Sequence, residues 1–257
     1  MVRGGVPVTR EDVRLVSTAG YELAARLTRP AGADPLPGVV VSPAIHAGRK
    51  DLDAYSSPVT ATEIARLGYA VLTYDPAGCG ENWGEEDFGG PEHQDDLRVA
   101  IRHLAEHATR VGVLSLSLGA AAAVGALARY VELDVAWLVD WEGPSDRETI
   151  TAGGTRMVPA GGHTLEDDTW WHPREAVRHA ASLRCGYVRL QAVPDHAQPD
   201  ELRHAERMMR AVERGALPWY QINDHPRGIV PPRPNWLAGG PWTANCAILA
   251  KLAALRP

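Results

Sequence analysis

An apolar stretch at residues 111–128, VGVLSLSLGAAAAVGALA, constrains the fold more than any other part of the chain. Its length is close to that of a membrane-spanning helix. However, two serines and three glycines interrupt it. Its first six residues suit a buried strand, and its alanine-rich remainder suits a close-packed helix. We therefore predict a strand, a tight turn and a helix here, and we expect no membrane partner.

Strand-like and helix-like runs alternate along the rest of the chain. The first two runs, at 11–17 and 21–27, are joined by a short Thr-Ala-Gly turn and predict an antiparallel hairpin. Further strands are predicted at 38–42, 68–75, 133–141, 186–193 and 217–222, and helices at 54–68, 91–107, 118–131, 199–215 and 242–255. This alternation predicts an α/β fold, with a mostly parallel central sheet, helices on both faces and the hairpin at one edge.

A single domain over residues 1–257 is expected, with an irregular insert at about 143–173. The insert contains glycines, prolines and a Trp-Trp pair, and it has no clear hydrophobic period. Segments of this kind form a small cap or a long loop over a site.

The charge and the cysteines of the chain exclude several classes of function. A net charge of −6 and the absence of any long basic run give no reason to expect a nucleic-acid partner. The three cysteines are widely spaced, so they predict reduced thiols rather than a disulfide framework or a zinc site. No apolar leader is present at the N-terminus, which favours a cytoplasmic location. A signal peptide removed from a precursor would leave secretion open.

The turn within the apolar stretch has the pattern of a nucleophile elbow. Small residues stand two places before and two places after Ser117, namely Ser115 and Gly119, so the strand and the helix can approach closely. Such a turn projects the serine hydroxyl above the sheet, at the N-terminal end of the helix. A serine hydroxyl becomes a good nucleophile only beside a histidine that an acidic residue orients.

Three other segments supply residues of these types. They are YDPAGCGENWG at 74–84, LQAVPDHAQP at 190–199 and INDHPRG at 222–228. Together with LSLSLGA, they resemble the α/β-hydrolase superfamily, particularly bacterial serine esterases of its dienelactone-hydrolase-like or prolyl-oligopeptidase-like branches. The resemblance implies an α/β-hydrolase fold and a serine hydrolase that needs no metal or organic cofactor.

Residue by residue, the resemblance implies that Ser117 is the nucleophile, Asp195 the acid and His225 the base. It also implies that the backbone N–H groups of Leu118 and Ile45 form the oxyanion hole. The chain departs from the family pattern at three places: Ser115 replaces the first glycine of the elbow, Pro43-Ala44-Ile45 replaces His-Gly-x, and Ala77 replaces an arginine.

Alternatives to two of these roles remain open. Asp140 and Glu142 end the strand after the elbow helix, where a minority of these enzymes keep the acid instead of at Asp195. His163, in the insert, is an alternative base. His196 follows Asp195 directly and is expected at the rim of the pocket.

Two further motifs are interpreted as structural. Residues 103–107, HLAEH, match a zinc-protease pattern, because spacing i,i+4 places His103 and His107 on one helical face. No third ligand is evident, and this helix should lie away from the strand ends, so we expect no metal. Cys79 is interpreted as a small residue in a tight Gly-Cys-Gly turn.

The chain has eight tryptophans and a single phenylalanine. Four of the tryptophans follow predicted strands or lie in the insert, where ligands bind in open α/β sheets. They can fill gaps in the core. The functional alternative is an aromatic-walled pocket for aryl or polyester-like substrates, formed by Trp83, Trp141, Trp170 and Trp171.

The sequence thus predicts a carboxylic ester hydrolase that acts on a small-molecule ester through an acyl-enzyme. A short-peptide peptidase and an acyltransferase on the same fold remain alternatives, because a fold does not fix a substrate. A non-catalytic binder that kept the pocket is the alternative from a different functional class.

Overall fold

The computed structural model of the chain describes residues 6–32, 35–54, 57–152, 163–198, 201–226 and 237–256. The strands are β1 Val8–Val16, β2 Glu22–Pro30, β3 Leu36–Ser42, β4 Ala70–Tyr74, β5 Ala108–Leu116, β6 Val135–Trp141, β7 Gly186–Leu190, β8 Ala192–Val193, β9 Tyr220–Ile222, β10 His225–Pro226 and β11 Leu237–Ala238. The helices are α1 Ala61–Arg66, α2 Pro91–Ala105, α3 Gly119–Arg129, α4 Arg147–Ala152, α5 Asp168–Trp171, α6 Ala176–His179, α7 Glu201–Glu213 and α8 Pro241–Leu255.

The central sheet has the strand order β1-β2-β4-β3-β5-β6-β7-β9-β10. The pairs from β4 to β9 are parallel, whereas β1 pairs with β2, and β2 with β4, in antiparallel fashion. The predictions of a mostly parallel sheet and of an antiparallel hairpin at its edge are both confirmed. The parallel strands therefore bring their carboxyl ends to one edge, where the loops that carry chemistry meet.

Alternate residues of each central strand face opposite layers of helices. In β3, Val40 packs into the hydrophobic cluster that contains residues of α2, α3 and α7. Its neighbours Val39 and Val41 pack into the second cluster, which contains residues of α1 and α8. Because a strand alternates its side chains between two buried faces, a continuous apolar run is what such a strand requires.

The structure differs from the predicted elements at several places, among them the predicted strand at 186–193, which is divided into β7 and β8. The predicted helix at 54–68 is shorter, because α1 begins only after Thr60, whose side chain forms a capping box with Glu63. The insert is not wholly irregular, since α4 and α5 lie within it, while its residues 153–162 fall outside the described part of the chain. Among the described residues, no helix has the length and apolar character that crossing a membrane requires.

Candidate active site

The loops at the carboxyl edge of the sheet contain several residues with left-handed backbone conformations. His46 follows β3 with φ 56°, Ser117 follows β5 with φ 50°, Glu142 follows β6 with φ 49°, and Asn223 follows β9 with φ 48°. Residues other than glycine adopt this conformation only at a cost, and such residues cluster at functional sites. The edge of the sheet around Ser117 is therefore a candidate functional site.

The elbow itself follows from close packing around Ser117. The Ser117 N–H donates to the carbonyl of Trp141 at 2.9 Å, which ties the turn to the end of β6. A Cβ atom at Gly119 would collide with the carbonyl oxygens of Ser42 and Pro43, so only glycine fits between the helix and β3. The predicted strand, turn and helix are confirmed, and the turn places Ser117 at the carboxyl edge of the sheet.

His196 is the histidine that the structure places against Ser117. Its Nε2 lies 3.0 Å from Ser117 Oγ, and its Nδ1 lies 2.7 Å from Glu142 Oε2. In the neutral imidazole, Nδ1–H therefore donates to the carboxylate, which leaves Nε2 free to accept the serine proton. The indole of Trp141 stacks on the imidazole, with ring centroids 4.4 Å apart at 28°. A serine, a histidine and a carboxylate are thus aligned.

Glu142 is held rigidly in this arrangement. Its carboxylate is 2% exposed, and its Oε1 accepts the Ala192 N–H at 2.8 Å. Its Oε2 accepts the His196 N–H at 3.2 Å as well as the ring N–H. These hydrogen bonds fix the carboxylate, and the carboxylate in turn fixes the orientation of the ring.

Asp195 supplies a second carboxylate beside the same imidazole. Its Oδ1 lies 3.3 Å from His196 Nδ1 and accepts backbone N–H groups from Ala197 at 2.8 Å and Gln198 at 2.9 Å. Its Oδ2 is 3.0 Å from Nε2 of the fully buried His204. Burial alone would raise the pKa of Asp195, but the hydrogen bonds from His196, His204 and Ala197 hold it well below its usual range.

These contacts also set the protonation of the histidine. Burial by itself lowers the pKa of His196, but the hydrogen bonds and charges of Asp195 and Glu142 outweigh it and raise the pKa to about 9. The imidazole of the free site is therefore protonated at neutral pH. Losing this proton is a requirement for the ring to act as a base.

The structure does not bring the predicted His225 to Ser117. The chain reverses after β9, so His225 pairs with Ile222 across an antiparallel ladder. Its Nε2 is buried and has no hydrogen-bond partner among the described residues. The predicted Asp195 does reach the site, but beside His196. His196, expected only at the rim, occupies the position against Ser117 because the loop after β8 lies next to the elbow.

Asp140 and His163, the remaining candidates for the acid and the base, have partners of their own. Asp140 is fully buried and accepts from Arg189 Nη1 at 2.7 Å and from the Tyr187 hydroxyl at 2.6 Å. It therefore belongs to an internal ion pair below the site. His163 is stacked on Trp170 and contacts Asp167 at 2.6 Å. Of the two carboxylates at the end of β6, Glu142 alone meets the imidazole.

Ile45 and Leu118, the predicted oxyanion donors, line one small cavity of about 10 Å³ together with Cys79 and Glu86. The Glu86 carboxylate accepts the His46 N–H at 2.9 Å and contacts the His46 ring, so it ties down the loop that carries Ile45. Burial, together with the nearby carboxylates, raises the pKa of Cys79 to about 12. The thiol therefore stays protonated, as its structural interpretation predicts.

The four tryptophans predicted as pocket walls have different environments. Trp83 is 94% exposed and forms no wall. Trp171 is 1% exposed and donates its Nε1–H to the Thr164 carbonyl, so it is a core residue. Trp170 packs with Ile45 against a small cluster that contains Leu118, and Arg174 lies over its ring. Trp141 alone of the four lines a cavity beside His196.

Two groups of described residues have ligating atoms that could hold a metal. His103, Glu106 and His107 lie within 4.8 Å of one another, so Glu106 is a third ligand that the sequence did not suggest. They lie at the end of α2 and in the turn before β5, whereas Ser117 follows the other end of that strand, roughly 30 Å away at about 3.3 Å per residue. The second group is Glu142, Asp195 and His196. In that group, Nδ1 is already engaged with Glu142.

Comparison with known proteins identifies a family and a fold for the chain. A family model described as X-Pro dipeptidyl-peptidase (S15 family) matches residues 19–225. No curated protein sequence matches the chain. A solved puromycin-hydrolyzing peptidase of Mycobacterium tuberculosis has a TM-score of 0.71 at 19% identity, over 97% of this chain and 39% of that chain.

Two further structures are similar over more of their own length. An esterase of Pyrococcus furiosus has a TM-score of 0.65 at 17% identity, over 95% of this chain and 92% of that chain. A 2,6-dihydroxy-pseudo-oxynicotine hydrolase has a TM-score of 0.68 at 17% identity, over 98% and 68%. Identities this low establish the fold alone, which is that of the α/β-hydrolases.

Proposed function

The chain belongs to the X-Pro dipeptidyl-peptidase (S15) family of α/β-fold serine hydrolases, and from this premise we propose that it hydrolyses carboxylic esters with Ser117 as nucleophile. The observation that carries the proposal is the contact of 3.0 Å between Ser117 Oγ and His196 Nε2, with Glu142 on the other ring nitrogen. In this proposal His196 is the base and Glu142 the acid that orients it. Asp195 is a second carboxylate that stabilises the imidazolium.

The reaction proceeds in two halves. Ser117 Oγ attacks the ester carbonyl while His196 Nε2 takes its proton, and Glu142 and Asp195 stabilise the resulting imidazolium. The carbonyl oxygen becomes an oxyanion that accepts from the N–H groups of Leu118 and Ile45. The alkoxide then leaves with the proton from His196, and an acyl-Ser117 remains. Water, deprotonated by His196, attacks this acyl group and releases the acid and the free hydroxyl.

The choice of esters is supported by how much of each similar structure this chain covers. The Pyrococcus furiosus esterase is covered over 92% of its length, so nearly the whole of that protein corresponds to the fold seen here. The Mycobacterium tuberculosis peptidase is covered over only 39%, so most of its chain has no counterpart in this one. Esters are also the less demanding substrates, because an alkoxide leaves more readily than an amide nitrogen.

A peptidase acting on proline-containing peptides is the second candidate, and the family match favours it. The two candidates differ in a direct measurement. We expect p-nitrophenyl esters to be cleaved faster than an X-Pro p-nitroanilide when kcat/KM is compared. A higher kcat/KM for the anilide would make the protein a peptidase that uses the same residues.

The first experiment measures the hydrolysis of p-nitrophenyl esters, from short to long and aromatic acyl groups, by the wild type and two serine variants. Ser117→Ala should lose at least about 10³-fold in kcat/KM, because it removes the nucleophile. Ser115→Ala is the matched control, since Ser115 lies buried two residues earlier, with its hydroxyl 3.5 Å from the Val139 carbonyl. An inert wild type, or equal rates for the wild type and Ser117→Ala, would overturn the proposal.

A further inference from the structure

A cavity of about 360 Å³ lies beside the His196 imidazole. Its walls are mostly apolar and come from elements far apart in the chain. They are Pro58, Trp141, Ala192, Pro194, Gly240 and Ala244, with Glu142, Asp195 and His196 as the polar members. It shares no lining residue with the small cavity at Ile45 and Leu118. The proposed catalytic histidine thus borders a separate space large enough for a substrate group.

In acyl transfer, the carbonyl oxygen and the leaving oxygen of the substrate must lie on different sides of Ser117. The carbonyl oxygen must point toward the oxyanion donors, which the proposed function places at Leu118 and Ile45. The leaving oxygen must lie within reach of the imidazole, because His196 Nε2 returns the proton to it. A group attached to the leaving oxygen therefore extends past His196, into the space that this residue borders.

The size and surface of the cavity suit a bulky apolar group. Small-molecule sites have volumes of roughly 300–1,000 Å³, so a space of this size holds a ring with its substituents. Trp141, Ala192 and Ala244 form apolar walls, and all three are buried residues. A Cβ at Gly240 would meet no atom of the described residues within 4 Å, so this wall leaves space for a substituent.

The charges around the cavity exclude one class of group. The carboxylates of Glu142 and Asp195 both contact the one imidazole of His196. The nearby Arg189 is engaged with Asp140 in a fully buried ion pair and offers no free positive charge. An anionic substituent in this cavity would be repelled by the two carboxylates in surroundings of low dielectric constant.

We propose that this cavity is the leaving-group site and that it receives the alcohol part of the ester as a bulky, apolar group without negative charge. The inference rests on the proposed function, because the alcohol is the leaving group only if Ser117 attacks an ester.

The test reduces the volume of the cavity by placing larger side chains at Ala244 of α8. Ala244→Leu and the smaller Ala244→Val add carbon atoms at a wall, and Ala250→Leu is the matched control at an exposed position of the same helix. Each variant is assayed with phenyl acetate, 4-tert-butylphenyl acetate and phenyl butyrate, and its melting temperature is measured. In Ala244→Leu, the kcat/KM ratio of tert-butylphenyl to phenyl acetate should fall at least about tenfold, with a smaller fall in Ala244→Val.

The comparison of phenyl acetate with phenyl butyrate shows whether the cavity holds the alcohol part or the acyl chain of the substrate. If the ratio of butyrate to acetate falls instead, the cavity holds the acyl chain and the proposal is wrong. The proposal is also wrong if neither ratio changes in a folded variant. If Ala244→Leu does not fold, Ala244→Val decides by the same two ratios. Failure of the proposed function is distinct, because then the wild type cleaves none of the esters, or Ser117→Ala cleaves them at the wild-type rate.

A second measurement tests the charge argument with the wild type alone. The anion 4-acetoxybenzoate and its methyl ester differ in charge but present rings of the same shape. After correction for their rates of alkaline hydrolysis, the anion should show a kcat/KM at least about tenfold lower, a difference of roughly 1.4 kcal/mol. Equal values would show that the leaving group does not meet the two carboxylates.

Discussion

Two loops at the carboxyl edge of the sheet each carry an Asp-His pair, and the two pairs have different environments. Asp195 and His196 follow β8, and Asp224 and His225 follow β9. The Asp195 side chain is fully buried, whereas that of Asp224 is 80% exposed and lies 3.8 Å from Lys251 Nζ. One dipeptide thus occurs twice, yet only one copy contacts Ser117.

The difference between the loops comes from their neighbours. The loop after β8 lies beside the end of β6, which supplies the Glu142 carboxylate and the Trp141 ring to His196. The loop after β9 turns back on its own strand, and the resulting ladder holds the backbone of His225. A histidine in an expected sequence position is therefore not a catalytic histidine until a carboxylate orients it and a nucleophile meets it.

Replacing each of the two histidines should distinguish the two loops by the largest effect on activity. His196→Asn should lower kcat/KM for p-nitrophenyl acetate about 10³-fold or more, because it removes the proton acceptor for Ser117. His225→Asn should stay within a few-fold of the wild type. Steady-state kinetics of both variants, with melting curves as a control for folding, make the test. The reverse pattern would restore His225 as the base.

Removing the carboxylate that orients His196 should have the next largest effect. Glu142→Gln should cost about 10²-fold in kcat, because a side-chain amide cannot accept all of the N–H groups that the carboxylate now accepts. Asp195 remains and limits the loss. The control is Glu148→Gln, at a surface carboxylate that is paired with Arg203 and Arg207. A Glu142→Gln enzyme with wild-type kcat would remove Glu142 from the mechanism.

The pH dependence of kcat/KM in the wild type tests whether His196 is the base, without any mutation. The pKa of His196 is raised to about 9, so the base is protonated below that pH and becomes active as the pH rises through it. Accordingly, kcat/KM should increase about tenfold per pH unit from 7 toward 9 and then level off. A midpoint near the ordinary histidine value of about 6.5 would contradict the arrangement of two carboxylates.

The smallest effect is expected for the aspartates. Asp195→Asn removes one of the two charges that raise the pKa of His196, so the midpoint of the pH profile should move to lower pH. The plateau rate should fall by less than about tenfold, because Glu142 still orients the ring. Asp224→Asn is the matched change in the other loop and should move neither quantity. A midpoint that stays the same in both variants would show that Asp195 does not act on His196.

Sequence reasoning captured the part of the site that is local. The elbow is encoded within residues 111–123, where a buried strand, a serine and a glycine follow one another directly. The family resemblance implied Leu118 and Ile45 as oxyanion donors, and both residues line one small cavity in the structure. Asp195 was also predicted to lie at the site. In each case the signal is a strand end of known type followed by a residue of the right chemistry.

The pairing of His196 with Glu142 was not predicted, although both residues are visible in the sequence. Glu142 was one of three possible acids, and His196 was expected at the rim because Asp195 was expected to face another histidine. His204, which supports Asp195 from α7, gave no signal, because a histidine within an amphipathic helix has no distinctive pattern. The tryptophans were also indistinct, since their abundance does not show which rings are exposed.

By itself, the sequence determined the alternation of strands and helices, the parallel sheet and the position of Ser117, because these depend on neighbouring residues and on hydrophobic period. The tertiary structure alone decided which histidine meets that serine. The contact from His196 to Ser117 joins residues 79 positions apart, and the contact to Glu142 spans 54 positions. Residues so far apart in the sequence are brought together by the order of β5, β6 and β7 in the sheet and by the direction in which each loop leaves its strand. Neither depends on local sequence, so the packing of the whole sheet selects the histidine that meets Ser117.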